Sequence, residues 1–173
     1  MTVHFTLTTP IPAPVEVVFD LAVDIDFHVR SMAHARDRAM TGVTTGRIGL
    51  DETVTWRAWH LGVPFTMTSR VTELDRPSRF VDEQVRGPFH RFRHEHHVAA
   101  NDAGTVLTDD VRFDAPLGPV GWLAERVILE RYLVDLIRLR NRHLTLEATC
   151  LAATATAASH DGTSAPASSE ETS

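Results

Sequence analysis

The segment HRFRHEHH at residues 90–97 carries the densest set of reactive side chains in the chain. Side chains of an extended strand alternate between its two faces, so His94 and His96 point the same way. An imidazole changes its charge near neutral pH, and it binds metal ions when it is neutral. The pair therefore indicates either proton transfer or metal binding.

Metal binding needs more than this pair provides. The segment does not match the zinc-protease motif HExxH, which would require a histidine in place of Val98. Two histidines on one strand also need a third ligand, for which Asp109 and Glu83 are the nearest candidates. We therefore predict no metal and no cofactor, and this three-ligand site is the alternative.

Proton transfer would use the same residues differently. A cyclase or dehydratase that acts on a β-keto chain needs a base for an acidic proton and a donor for the enolate oxygen. His94 or His96, oriented by Asp109, would be the base, and Tyr132, the only tyrosine, would be the donor. The alternative is that Tyr132 is a core aromatic and that histidines and carboxylates of neighbouring strands satisfy one another.

A series of strands separated by turns must position these side chains. Strand-like stretches occupy residues 3–9, 52–61, 65–74, 79–86, 89–99 and 105–114, and residues 36–43 form a weaker one. Turn residues such as Gly, Pro, Asn and Asp recur about every dozen residues between the later strands, which is typical of an antiparallel meander.

Helices are predicted before and after this meander. The segment VEVVFDLAVDI follows Pro12 and Pro14, which a first helical turn tolerates, and Asp24 or Asp26 would cap a second short helix. Residues 118–147 form a long helix whose apolar residues cover about half of its circumference. So broad an apolar face needs a wide apolar partner, and one face of the sheet supplies it.

Alternation along the strands predicts which side chains face that helix. A tight turn over residues 101–104 would set the register of the strands on either side of it. The predicted cross-strand pairs are Val98 with Leu107, His96 with Asp109, and Phe92 with Phe113. In the strand at 79–86, the more apolar parity is Val81, Glu83 and Val85, and we expect these three to point inward.

A cavity between the sheet and the long helix is expected from the composition of the inward face. The residues predicted to line it are Glu52, Trp56, His60, Phe65, Met67, Glu83, Phe92, His94, His96, Asp109, Val111, Phe113, Leu129, Tyr132 and Leu136. Burying ionisable groups is costly unless they are paired or hydrated. Either the cavity contains water and a ligand, or several of these groups lie at its rim.

Composition limits the classes of partner. The chain has 173 residues and a net charge of −6, which argues against nucleic acid as the main partner because phosphates require a basic surface. Its one cysteine, Cys150, allows no internal disulfide, and no stretch of about 20 apolar residues could span a membrane. We therefore expect a cytoplasmic protein.

The length fits one domain, which we place at residues 1–148. Residues 149–173 contain no aromatic residue and no arginine, and we predict that they form a disordered tail. Trp59 falls on the outward parity of its strand. We expect either a short helix or the second subunit of a homodimer to cover it.

Two segments, RPSRFVDEQVRGPF (76–89) and FRHEHHV (92–98), resemble sequences from a bacterial branch of the START-like, or SRPBCC, superfamily. This branch includes cyclase/dehydrase-like and cell-division-inhibitor-like proteins, and the resemblance covers about residues 1–147. It implies an α+β helix-grip fold, in which a curved antiparallel sheet wraps a long C-terminal helix and two short helices follow the first strand. It implies no catalytic residue. It places His94 at a cavity position and Arg86 at a strand end, and nothing more.

A binding function follows most directly from these features. A mostly apolar cavity with a few polar groups is typical of a small-molecule site. We predict that the protein binds a small hydrophobic or aromatic molecule, such as a lipid, an isoprenoid or a polyketide-like compound. The alternative is a polyketide cyclase or dehydratase that uses a cavity histidine as its general base.

Overall fold

Seven antiparallel strands form one sheet in the computed structural model, which describes residues 2–60, 62–114 and 122–161, without the side chains of His60, 122–127 and 159–161. The strands are β1 (Thr2–Ile11), β2 (Arg38–Gly42), β3 (Thr53–His60), β4 (Val63–Asp75), β5 (Arg79–Arg86), β6 (Arg91–Asn101) and β7 (Gly104–Asp114). Their order in the sheet is β1-β7-β6-β5-β4-β3-β2. The predicted strands are all present, and their ends agree to within two residues.

Two short helices, α1 (Val15–Ala22) and α2 (Ile25–Ser31), follow β1, and a 3₁₀ turn at Ala33–Ala35 leads into β2. Pro14 precedes α1 in an extended conformation. Of the two predicted caps for α2, Asp24 is the one used, because its carboxylate accepts a hydrogen bond of 2.6 Å from the backbone N–H of Phe27. Asp26 instead accepts from the backbone N–H of Gly46 at 2.7 Å, which holds the loop before β3 against α2.

The long helix α3 (Trp122–Asp161) packs on the sheet and completes the predicted α+β helix-grip fold. None of the described helices is long and apolar enough to cross a lipid bilayer. Residues 118–121, where we predicted the start of this helix, lie outside the described residues.

Helix α3 continues through residues 149–161, which we expected to be disordered. Alanine, which is frequent there, has the highest helix propensity, and this outweighs the lack of bulky apolar groups. The hydroxyls of Thr149 and Thr154 also donate to the carbonyls of Thr145 and Cys150, one turn earlier. The rest of the predicted tail, residues 162–173, lies outside the described residues.

The register between β6 and β7 is the predicted one. Val98 lies opposite Leu107, His96 opposite Asp109, and Phe92 opposite Phe113. The connecting turn begins with Asn101, whose side-chain oxygen accepts from the backbone N–H of Ala103 at 3.0 Å, and ends with Gly104 at a φ of 131°. A side chain at Gly104 would collide with the backbone of Ile11, so glycine is required there.

The predicted orientation of β5 is wrong. The register between β4 and β5 shifts between Val71 and Glu73, so that Val71 lies opposite Asp82 whereas Glu73 lies opposite Val81. This irregularity adds one residue to β4, and one extra residue reverses the faces on which the following side chains lie. Phe80 and Asp82 therefore face α3, whereas Val81, Glu83 and Val85 face the other way.

The apolar core consists of two clusters that share α3. One contains Phe19, Phe27 and Phe80 with Leu144 and Ala148 of the helix. The other contains Phe89, Phe92 and Phe113 with Leu133 and Ile137. Arg140 and Asn141 lie between these two sets of helix residues, at positions of the buried stripe where apolar side chains would be expected, and both are buried.

Candidate functional site

A cavity of about 370 Å³ lies between the sheet and α3, with α2 contributing to one wall. Most of its lining is apolar and comes from strands β3 to β6, the short helices and α3. The polar side chains that line it are Asp24, His28, Asp37, Ser69, Arg70, Asp82, His94, His96, Tyr132 and Arg140. The cavity therefore has the composition of a small-molecule site, in which a few polar groups orient an apolar ligand.

Nine of the predicted residues line this cavity. They are Trp56, Phe65, Met67, Phe92, His94, His96, Leu129, Tyr132 and Leu136. Trp56 packs against His28 of α2, with ring centroids 4.2 Å apart and the rings tilted by 30°, and so belongs to the wall formed jointly by β3 and α2. Burial and the nearby charge of Asp37 raise the pKa of Tyr132, so its hydroxyl keeps its proton at neutral pH.

Five other predicted residues do not line the cavity. Val111 and Phe113 are fully buried in the core, and Asp109 lies behind the histidines with 0% of its surface exposed. Glu52 precedes β3, which begins at Thr53, so it does not belong to the inward face of that strand. It is exposed and accepts a hydrogen bond of 2.7 Å from the backbone N–H of Gly49. Glu83 binds Arg93 at 2.8 Å on the opposite face of the sheet. The side chain of His60 lies outside the described part of the structure.

The most polar wall of the cavity is a cluster of two histidines and two carboxylates, here called the His–Asp cluster (Asp82, His94, His96 and Asp109). Oδ1 of Asp109 lies 2.8 Å from Nε2 of His94 and 2.9 Å from Nδ1 of His96, although the second contact is too bent for a regular hydrogen bond. Nε2 of His96 lies 3.2 Å from Oδ1 of Asp82. The two imidazoles are therefore held by carboxylates from both neighbouring strands.

Aromatic stacking fixes the imidazole planes. The rings of His94 and His96 have centroids 3.8 Å apart, and Phe80 stacks on the other face of His96 at 4.0 Å with an interplanar angle of 11°. Because His96 is held between two rings and two carboxylates, it has little rotational freedom. His94, nearer the open part of the cavity, makes no hydrogen bond through Nδ1 to any described residue.

The two histidines differ in their affinity for a proton. Burial lowers the pKa of His94, the charge of His96 lowers it further, and the bond to Asp109 does not compensate. Burial also opposes a charge on His96, but Asp109 and Asp82 together outweigh it and raise the pKa of His96. Burial would raise the pKa of Asp109, yet the two imidazoles hold it well below its ordinary value. The cluster therefore favours a proton on His96 over a proton on His94.

A neutral His94 has a defined tautomer. To donate to Asp109, the ring must carry its proton on Nε2, which leaves a lone pair on Nδ1. Two groups whose surroundings push their pKa values apart are the usual arrangement for an acid and a base in one site. The two imidazoles thus differ in proton affinity, as an acid and a base in one site must.

Asp82 is a site residue that the sequence analysis did not find. Burial would raise its pKa, but the hydrogen bond to His96 and the positive charges nearby outweigh this effect and lower it. Sequence alternation placed Asp82 outside, and only the β4 irregularity brings it inward. In the structure it lies directly opposite His94 in the pairing of β5 with β6, a register that the sequence analysis did not predict.

Arg140 is the second residue that was missed. Only 7% of its surface is exposed, and its Nη2 donates a hydrogen bond of 2.9 Å to the carbonyl of Ala22 at the end of α1. Nη1 has no hydrogen-bond partner among the described residues. Spacing could have revealed it, because Arg140 occupies the buried stripe of α3 together with Leu133, Ile137 and Leu144.

Asp82, His94 and His96 are also the described residues whose donor atoms could hold a metal ion, since these atoms lie within 4.8 Å of one another. Two imidazoles and one carboxylate suit zinc or ferrous iron. The sequence indicated Glu83 or Asp109 as the candidate third ligand, whereas in the structure the carboxylate of Asp82 holds this position. Glu83 faces away, and Asp109 contacts the far side of the imidazoles, where it would orient ligands rather than bind the ion.

The sequence pattern of the family described as "Polyketide cyclase / dehydrase and lipid transport" matches residues 2–148. No curated protein matches the chain. Similar solved structures include TTHA0849 from Thermus thermophilus, which has a TM-score of 0.69 and 17% identity over 87% of this chain and 99% of its own.

Two further solved structures are similar. The Zhui aromatase/cyclase from Streptomyces sp. R1128 has a TM-score of 0.68 and 19% identity over 86% of this chain and 94% of its own. The major latex-like protein 151 from Panax ginseng has a TM-score of 0.62 and 14% identity over 85% of this chain and 97% of its own. Identities this low establish a common fold and nothing finer.

Proposed function

Since this chain belongs to the polyketide cyclase/dehydrase and lipid transport family, we propose that its cavity binds a small hydrophobic or aromatic molecule, such as a lipid, an isoprenoid or a polyketide-like compound. This membership confirms the resemblance to the SRPBCC superfamily seen in the sequence. The observation that carries the proposal is the cavity itself, whose lining is mostly apolar and includes a few ionisable groups.

The size of the cavity limits the ligand. A volume of about 370 Å³ falls within the range typical of small-molecule sites. Aromatic rings line it from several directions, including Trp56, Phe65, Phe89 and Phe92. Such walls suit a flat ring system or a bent alkyl chain of moderate length.

Native mass spectrometry of the purified protein, combined with thermal unfolding across a panel of fatty acids, isoprenoids and aromatic polyketides, tests this proposal. Leu136→Trp should fill the cavity from α3 and abolish the bound mass and the thermal shift. Leu146→Trp makes the same change on the same helix at an exposed position and should leave both intact. Ligand-free spectra and no thermal shift across the whole panel would overturn the proposal.

A cyclase or dehydratase activity is the second candidate, and the pairing of a neutral His94 with Asp109 favours it. Nδ1 of His94 would remove an acidic proton from a β-keto chain, and Tyr132, which lines the same cavity, would donate to the enolate oxygen. Turnover of β-keto thioesters by the wild type, lost in His94→Gln, is the expected result. Activity that survives alanine at both His94 and His96 would exclude this mechanism.

A further inference from the structure

We propose that the ligand of this cavity carries a carboxylate and that Arg140 binds it. This inference rests on the proposed binding function and specifies the class of ligand. Its basis is a guanidinium group that is buried in the cavity wall and only partly satisfied by the protein.

The position of Arg140 is unusual for an arginine of α3. Arg138 and Arg142 are exposed, whereas Arg140 is buried and lines the cavity. Its hydrogen bond to the Ala22 carbonyl occupies Nη2 and leaves Nη1 unpartnered among the described residues. Because burial of an unpaired donor is costly, an oxygen atom of the ligand at Nη1 would remove that cost.

The charge of Arg140 is not neutralised by direct contact. No described carboxylate oxygen lies within 4.0 Å of it, whereas Arg79 and Arg93, at the sheet surface, each bind glutamates at 2.6 to 3.2 Å. The nearest acids, Asp82 and Asp109, attract the guanidinium but are engaged by the histidines. Burial lowers the pKa of Arg140, yet a guanidinium stays charged in proteins, so a buried positive charge faces the ligand.

A second unpartnered group supports an oxygen-rich ligand end. The hydroxyl of Ser69 is buried, lines the same cavity and has no hydrogen-bond partner among the described residues. Ser69 lies two residues along β4 from Val71, which pairs with Asp82 of the His–Asp cluster. A carboxylate has two oxygens with several lone pairs, and it pairs with a guanidinium through short, charge-assisted hydrogen bonds. A neutral ester of the same hydrocarbon provides weaker acceptors and no charge.

Matched acid and ester pairs test the assignment. Isothermal titration calorimetry with dodecanoate and methyl dodecanoate, and with 2-naphthoate and its methyl ester, compares equal apolar groups that differ in charge. We expect the wild type to bind the acids about 10- to 100-fold more tightly than the esters. In Arg140→Met the ratio should fall to near one while ester binding remains, which also shows that the variant is folded. Arg138→Met, exposed on the same helix, should keep the wild-type ratio.

Each contrary result has one meaning. Equal affinity of the wild type for acid and ester overturns the carboxylate assignment but leaves the proposed binding function. Failure to bind the acid or the ester in either pair also overturns the assignment, and the wider ligand panel then decides the binding function. A preference that persists in Arg140→Met overturns the role of Arg140. If that variant does not fold, Arg140→Gln replaces it, and an undiminished preference there overturns the role of Arg140.

A metal ion is the competing explanation for any preference for acids. Asp82, His94 and His96 could hold zinc, and zinc could bind the carboxylate instead of Arg140. The titrations are therefore repeated after treatment with EDTA and again with added zinc. An acid preference unchanged by EDTA supports Arg140, and a preference that disappears with EDTA and returns with zinc overturns the assignment.

Discussion

Asn141 on α3 donates a hydrogen bond of 2.6 Å to Oδ2 of Asp109 on β7, and neither residue is accessible to solvent to any useful extent. The other oxygen of Asp109 faces both imidazoles of the His–Asp cluster. One carboxylate therefore holds the two histidines in place and also attaches the helix to the sheet. Its removal should affect the stability of the fold and the ionisation of the histidines together.

Asp109→Asn is expected to destabilise the protein by about 3 kcal/mol, because breaking a fully buried ion pair leaves its partners unsatisfied. Urea unfolding at pH 7 measures the loss. The matched control is Asp110→Asn, one residue along β7, where the carboxylate pairs with the exposed His4. That change should cost less than about 1 kcal/mol. Equal losses in the two variants would show that Asp109 is not the centre of a buried network.

The two histidines should contribute to stability with opposite dependence on pH. His96, facing Asp82, Asp109 and Arg140, has a folded pKa above the ordinary value of about 6.5. Its contribution is therefore full below about pH 6.5 and is lost as the pH rises through the folded pKa. We expect His96→Gln to remove this loss on the alkaline side.

His94 should behave in the opposite way, since its folded pKa lies below the ordinary value. As the pH falls below about 6.5, the unfolded chain takes up a proton that the folded His94 resists, so stability is lost on the acid side. In His94→Gln this acid-side loss should shrink. Urea midpoints of the wild type and both variants at about pH 5, 6.5 and 8 test the two predictions. If both variants changed the midpoint on the same side of about pH 6.5, the preference of the proton for His96 would be contradicted.

The ion pairs on the outer face of the sheet are expected to be weakly stabilising. Arg93 binds Glu73, Glu83 and Glu95, and the arginines lower the pKa of Glu95 against the effect of its burial. Because these groups are partly exposed, Arg93→Gln should cost only about 1 kcal/mol and less in about 1 M NaCl. Arg91→Gln, exposed on the same strand, serves as the control in urea unfolding. A loss at Arg93 that salt does not reduce would contradict an electrostatic origin.

The end of α3 should add helix without adding much stability. Side chains of residues 153–158 are exposed, whereas Ala148 is fully buried against the first apolar cluster. Removal of residues 154–173 should lower the helical circular dichroism signal but change the free energy of unfolding by less than about 0.5 kcal/mol. Ending the chain at Glu147 should cost about 1 kcal/mol or more, because the contacts of Ala148 are lost. Similar losses for both truncations would contradict this difference.

The strands beside a tight turn were predictable from the sequence. The turn over residues 101–104 has a length that permits one register, so the alternation of β6 and β7 correctly gave His96 opposite Asp109. The period of an α-helix also predicted that Leu129, Tyr132 and Leu136 of the long helix face the cavity. Local geometry sets both features, and local geometry is what a sequence records most directly.

The rest of the site depends on irregularities. The extra residue of β4 near Thr72 has no sequence signature, yet it decides that Asp82 faces the cavity and Glu83 does not. Arginine on a helix is normally solvated, so composition alone does not place Arg140 in the interior. Both cases concern polar residues whose positions follow from tertiary packing, against their usual preference.

Cys150 is the one thiol of the chain and is exposed on α3, two residues beyond the fully buried Ala148. A maleimide dye would therefore attach at a single known place without any prior mutagenesis. Since the dye would sit on a rigid helix attached to the sheet through Asn141, its fluorescence anisotropy and its energy transfer to a second probe would report small displacements of the helix in real time.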